Sequence, residues 1–189
     1  AKARKVLKDE TIAIIGYGRF GSLLAKLLKP YGRVFVLEKK NIKFSEAKIV
    51  LKDLEEMDLV IPAVPISNLE QVLKRIEKHL KPGAIVMDVA SVKVLPCRCL
   101  KAMRPDVEVI GCHPMFGPDS AVNGLKGLLT VLCPVRIGHD NLKMIKDMWT
   151  DIGVSVMVTG PEQHDKEAAK SLSLVHFLGR GLTKLKVGP

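Results

Sequence analysis

Short apolar runs that stop at glycine, proline or a charge alternate along this chain with stretches whose leucines recur every three or four residues. Residues 11–15 are such a run and predict a buried strand ending at Gly16. Phe20, Leu23, Leu24, Leu27 and Leu28 fall at helical spacing, so 19–29 reads as a helix that Pro30-Tyr31-Gly32 stops. A second strand follows at 33–38. Residues 39–54 have no clean period and read as a short helix with a small strand. A strand at 58–64, a helix at 67–80 and a break at Pro82-Gly83 come next. Further strands are expected at 84–89, 107–110, 128–135 and 154–158. Segment 92–103 begins as a loop and becomes a helix, and 141–152 is helical. After Gly160-Pro161 one long helical segment runs from 162 to about 185.

Strands that alternate with helices imply βαβ units, an α/β fold and a mainly parallel, doubly wound sheet. Gly160-Pro161 is the one plausible boundary. It divides a sheet domain, 1–160, from the start of a helical region, 161–189. The apolar Leu172, Leu174, Val175, Phe177, Leu178 and Leu182 of that last segment need a partner surface, either the sheet domain or a second copy of the chain.

Gly16-Tyr17-Gly18-Arg19-Phe20-Gly21 is a G-x-G-x-x-G turn between the first strand and the first helix. The first glycine permits the turn, the second lets a pyrophosphate approach the backbone, and the third lets helix and strand pack closely. The helix N-terminus adds free N–H groups and a positive dipole end. Glu38 ends the second strand about 20 residues on, where a carboxylate holds a ribose 2′-hydroxyl. A Rossmann-type dinucleotide site is expected, with Gly16, Gly18, Arg19, Phe20, Gly21 and Glu38 in contact with the cofactor. Glu38 would repel a 2′-phosphate, so NAD is favoured over NADP, although Lys39 and Lys40 soften that repulsion.

The next strand at 84–89 runs into Asp88-Val89-Ala90-Ser91-Val92-Lys93, and 107–110 runs into Gly111-Cys112-His113-Pro114-Met115-Phe116-Gly117-Pro118. Ligands of doubly wound sheets bind beyond the carboxyl ends of the strands. The hydroxyl of Ser91, the ammonium of Lys93 and the imidazole of His113, held on a stiff loop, are therefore expected to converge beside the cofactor. Each also has a plainer role open to it: a helix cap for Ser91, a solvated side chain for Lys93, a structural turn for His113. His164 and Asp165 read as fixing the start of the last helix.

These residues carry a family likeness. The Asp88–Lys93 and Gly111–Ser120 segments, then Glu162-Gln163-His164-Asp165 and Val175-His176-Phe177, resemble the prephenate dehydrogenase family, which includes arogenate dehydrogenases. The likeness runs in motif order from about Thr11 to about Arg180 and is nearest to the dehydrogenase part of bacterial proteins that fuse this activity to chorismate mutase. It implies NAD-dependent oxidative decarboxylation of prephenate to 4-hydroxyphenylpyruvate, on the route to tyrosine. His113 would act on the ring 4-hydroxyl, with Ser91 and Lys93 orienting the reacting groups, and His176 would help bind substrate. Arg180, four residues after His176 on one helix face, is placed beside it by geometry, with a solvent or interface role as the alternative. Prephenate and arogenate differ only in a keto acid or amino acid side chain. Another small Rossmann oxidoreductase and a nucleotide-binding module without turnover are the rival readings.

Composition narrows the picture a little further. The net charge of +10 comes from lysines scattered beside glutamates, and aromatics make up only 4% of residues, so a nucleic-acid partner is not expected. No apolar run approaches a membrane span, and residues 1–10 lack a signal-peptide core, which points to a cytoplasmic protein. Cys97, Cys99, Cys112 and Cys133 match neither a zinc ribbon nor a C-x-x-C motif, so no metal is expected. The family usually continues into a larger helical domain that forms a dimer and supplies an arginine to substrate. This chain ends after one such helix, so it reads as a piece of a longer protein or a reduced member. The expected homodimer forms through that helix, with the site completed across subunits or left incomplete.

Overall fold

The computed structural model describes residues 10–38 and 47–170, with Phe177, Arg180, Gly181 and Lys184. Its strands are β1 (Thr11–Ile15), β2 (Arg33–Leu37), β3 (Ala47–Lys48), β4 (Leu59–Pro62), β5 (Ile85–Met87), β6 (Glu108–Pro114), β7 (Leu129–Arg136) and β8 (Ser155–Val158). Its helices are α1 (Arg19–Leu28), α2 (Ile66–Ile76), α3 (Val94–Lys101), α4 (His139–Ile152) and α5 (Pro161–Ala168). All eight strands lie in one sheet, ordered β3-β2-β1-β4-β5-β6-β7-β8. Strands β1 to β6 are parallel to their neighbours, β6 meets β7 antiparallel, and β7 and β8 are parallel to each other. The order 3-2-1-4-5-6 is that of the doubly wound dinucleotide-binding fold, as the alternation of elements predicts.

The pleat divides the core into two layers. Ile12 and Ile14 face α1 and α4, whose Leu24, Leu28, Met148 and Trp149 are fully buried. Ala13 and Ile15 face the opposite way, toward Leu69, Leu73 and Ile76 of α2 and Leu100 of α3. Among the described residues no helix is long and apolar enough to cross a membrane.

Several expectations are corrected. Helix α2 ends at Ile76 and passes into a 3₁₀ turn, Glu77–His79. The expected short helix in 39–54 is a 3₁₀ turn, Leu51–Glu56, closed where Asp53 accepts the Val50 N–H at 2.9 Å; residues 39–46, with Lys39 and Lys40, lie outside the described set. Strand β6 continues to Pro114 instead of ending at Ile110, because β7 pairs with it as far as Pro114↔Thr130. Gly111 therefore does not stiffen a turn. It lies inside the strand, where an added Cβ would stand 2.6 Å from Cys97 Sγ and 3.3 Å from the Lys93 stem. Of the apolar residues that extend the last helix, only Phe177 is described, and it is exposed.

Candidate active site

The glycine turn joins β1 to α1. Gly16 takes a positive φ of 95°, and a Cβ there would sit 2.7 Å from the Ala63 carbonyl. A Cβ on Gly21 would stand 2.1 Å from the Gly16 carbonyl, so helix and turn touch through a missing side chain. Gly18 differs: no protein atom lies within 4 Å of the position its Cβ would take. The fold itself requires Gly16 and Gly21, and Gly18 faces space that a phosphate can enter. Helix α1 begins at Gly18 with no side-chain cap and no acid in its first turn, which suits an anion. Glu38 Oε2 accepts the Tyr17 N–H at 2.9 Å, which holds the carboxylate against the turn. This contrast makes a prediction: Gly21→Ala lowers Tm, whereas Gly18→Ala keeps Tm and weakens nucleotide binding. Equal Tm losses would contradict the assignment.

Beyond the carboxyl ends of β1, β4, β5 and β6 lies a cleft of about 550 Å³, lined by Arg19, Phe20, Ala63, Ser91, Pro114 and Phe116 among others. Arg19 bonds Asp119 at 2.5 Å across its mouth, and Phe20 meets Phe116 edge-on at 6.4 Å between ring centroids. Ser91 is an exposed residue of the cleft wall. It does not cap α3, whose first residues are held by another side chain described below.

His113 is not on a loop. It sits within β6, opposite Val131 of β7, and is only 5% exposed. Its neighbour Pro114 lines the cleft, while Met115 and Val131 line a second hollow of about 400 Å³ with His164 and Met157. His113 thus lies next to residues that line each hollow, and among the described residues no hydrogen bond joins it to Ser91. Burial lowers its pKa to about 4, helped by the nearby His164 ring and Lys93 ammonium and opposed by Asp165. The imidazole is neutral at pH 7, as a base must be.

Lys93 does not reach into the cleft. Its side chain is fully buried, with Nζ bonded to Asp88 Oδ1 at 2.5 Å and to the Cys112 carbonyl at 2.7 Å. Asp88, equally buried, accepts the Ala90 N–H at 2.9 Å and the Cys112 N–H at 3.4 Å. Burial pushes the Asp88 carboxyl upward against the pull of the Lys93 ammonium. The pair therefore clamps the backbone N–H and C=O of Cys112, the residue just before His113. The expected meeting of hydroxyl, ammonium and imidazole is replaced by a buried brace behind the histidine.

Two residues read only as helix-start features belong to the same cluster. His164, on α5, is 5% exposed, and its Nε2 lies 2.9 Å from His113 Nδ1. Its Nδ1 lies 2.7 Å from Asp165 Oδ1. Asp165 also accepts the N–H of Lys93 at 2.6 Å and of Val94 at 2.9 Å, so it caps α3 from 72 residues away. Burial raises the Asp165 carboxyl, but the Val94 N–H, the His164 ring and the Lys93 N–H outweigh it and hold the group below its ordinary value. Asp165 begins a helix as the sequence suggests, yet not its own. His176 lies outside the described residues. Arg180 is exposed and helical and makes no ion pair among the described residues.

A doubly wound sheet, a glycine turn at its first crossover and a cleft at its strand ends define a nucleotide-binding domain of the oxidoreductase type. Residues 35–158 match the family model for the prephenate dehydrogenase nucleotide-binding domain, and the chain belongs to the prephenate dehydrogenase family. It is 31% identical over 198 residues to the probable arogenate/prephenate dehydrogenase of Methanocaldococcus jannaschii, covering 94% of this chain and 43% of that protein. It is 36% identical over 169 residues to the T-protein of Enterobacter agglomerans, covering 88% of this chain and 42% of that one. The chain thus spans less than half the length of either relative. The crystal structure of prephenate dehydrogenase from Aquifex aeolicus shares the fold, with a TM-score of 0.77 at 23% identity, over 92% of this chain and 70% of that one.

Proposed function

We propose that this chain carries out the NAD-dependent oxidative decarboxylation of prephenate to 4-hydroxyphenylpyruvate, a step of tyrosine biosynthesis. The observation that carries the reading is a buried, neutral imidazole, His113, on β6 directly before Pro114, which lines a cleft at the strand ends of a nucleotide-binding fold. The reaction removes hydride from ring C4, takes the proton from the hydroxyl on that carbon, releases the C1 carboxylate as CO₂ as its electron pair enters the ring, and returns a proton to the resulting phenolate oxygen. Bound NAD supplies the hydride acceptor. Gly18, the first turn of α1 and Glu38 would hold it, the last through the ribose hydroxyls. His113 accepts the hydroxyl proton, and Ser91 in the cleft wall orients that hydroxyl. His176 and Arg180 would meet the substrate carboxylates, with the region from 161 onward acting as the start of a helical substrate and dimer region. Arogenate, with an amino acid side chain, would react at the same ring carbon. Initial rates with each substrate and each nicotinamide cofactor test the reading.

Two further outcomes are expected. Glu38→Ala weakens NAD binding more than NADP binding, because only the unmodified ribose bonds the carboxylate. Equal losses would remove Glu38 from the ribose site. The acid limb of kcat/KM falls near pH 4, with activity present above that value and lost as pH drops through it, because His113 must be unprotonated. A limb near 6.5, the value of a solvated imidazole, would contradict a base whose pKa burial has lowered.

A further inference from the structure

The geometry points to His164 and Asp165 as positioning residues that fix the tautomer of His113 and so decide which of its nitrogens can take a proton. Two contacts set the protons. An ionised carboxylate only accepts hydrogen bonds, so the 2.7 Å contact between Asp165 Oδ1 and His164 Nδ1 places a proton on that nitrogen. A neutral His164 then has a bare Nε2. The 2.9 Å contact from that Nε2 to His113 Nδ1 requires the donor to be His113. A neutral ring protonated at Nδ1 is unprotonated at Nε2. His113 Nε2 makes no hydrogen bond among the described residues, and the residue as a whole is 5% exposed. The nitrogen left bare is the one a substrate hydroxyl can meet.

The relay is rigidly seated. Asp165 is held by the first two N–H groups of α3, and the same helix start carries Lys93, whose ammonium grips the Cys112 carbonyl beside His113. One carboxylate on α5 therefore ties the orientation of the histidine to the strand that bears it. When His113 takes a proton at Nε2, the ring becomes a cation that His164 links to the Asp165 carboxylate.

The inference rests on His113 being the base, but its first test needs no substrate. Long-range ¹H–¹⁵N spectra of histidine-labelled protein read the tautomers directly. In the wild-type chain at neutral pH, His113 and His164 are expected to show a protonated Nδ1 and a bare Nε2. A His113 protonated at Nε2 would overturn the relay and leave its role as base to be judged by the activity of His113→Asn. Variants give the second test. His164→Leu removes the acceptor, mixes the His113 tautomers and lowers kcat by on the order of 10- to 100-fold, with cofactor affinity unchanged. His164→Gln, whose amide oxygen falls near the position of Nε2, restores the tautomer and part of kcat. Equal kcat in wild type and both variants, or loss in both with the wild-type tautomer retained, would overturn the inference.

Discussion

Replacing His113 by asparagine lowers kcat by about 10²- to 10⁴-fold, the usual contribution of a positioned acid–base group, and leaves NAD affinity intact. Asparagine is close in size and polarity to the imidazole and can donate to His164 Nε2, so β6 should keep its pairing with β7. It cannot take a proton at pH 7. The nucleotide contacts are expected to survive because Gly16, Gly18 and Glu38 lie on the β1 and β2 side of the sheet, away from His113. Steady-state kinetics with calorimetric titration of NAD separate the two effects. Turnover unchanged in the variant would remove His113 from the chemistry. Loss of both turnover and NAD binding would mean that the change has disturbed the fold.

Lys93→Met is expected to cost about 3–5 kcal/mol, because it leaves Asp88 buried without its cation. For a chain of this size that lowers Tm by on the order of 10 °C. The loss has a definite pH dependence. Without Lys93, burial raises the folded-state pKa of Asp88 further above its value in the unfolded chain. A group with a raised folded pKa contributes its stability below the unfolded pKa and loses it as pH rises through the folded one. The deficit of the variant should therefore be smallest in acid and grow toward neutral pH. Adding Asp88→Asn should recover part of the loss. A Tm equal to wild type at neutral pH would show that the buried pair does not brace the strand.

Both predictions turn on where side chains point, and there the sequence was only partly legible. The glycine turn, the strand alternation and Glu38 are local patterns with local causes, and the structure reproduces them. His113 could be singled out from its motif, but not placed inside β6, because the pairing that extends the strand is made by β7, some twenty residues downstream. Nothing in the period of 88–93 tells a buried lysine from a solvated one. The signal was the acid five residues earlier, a partner that makes burial of Lys93 tolerable. Asp165 caps a helix 72 residues away, and no rule of adjacent residues reaches that far. A polar pair such as His164-Asp165 one turn inside a helix was the available hint that its partners lay elsewhere.

The central claim is that this fold brings a nicotinamide cofactor and a histidine base to one substrate. The most direct measurement supplies the purified chain with NAD and prephenate, and in parallel with arogenate, and follows NADH and the aromatic product together. The account predicts NADH and 4-hydroxyphenylpyruvate in equal amounts from prephenate, at a rate that His113→Asn abolishes almost entirely. Tight NAD binding without turnover of either substrate would contradict it.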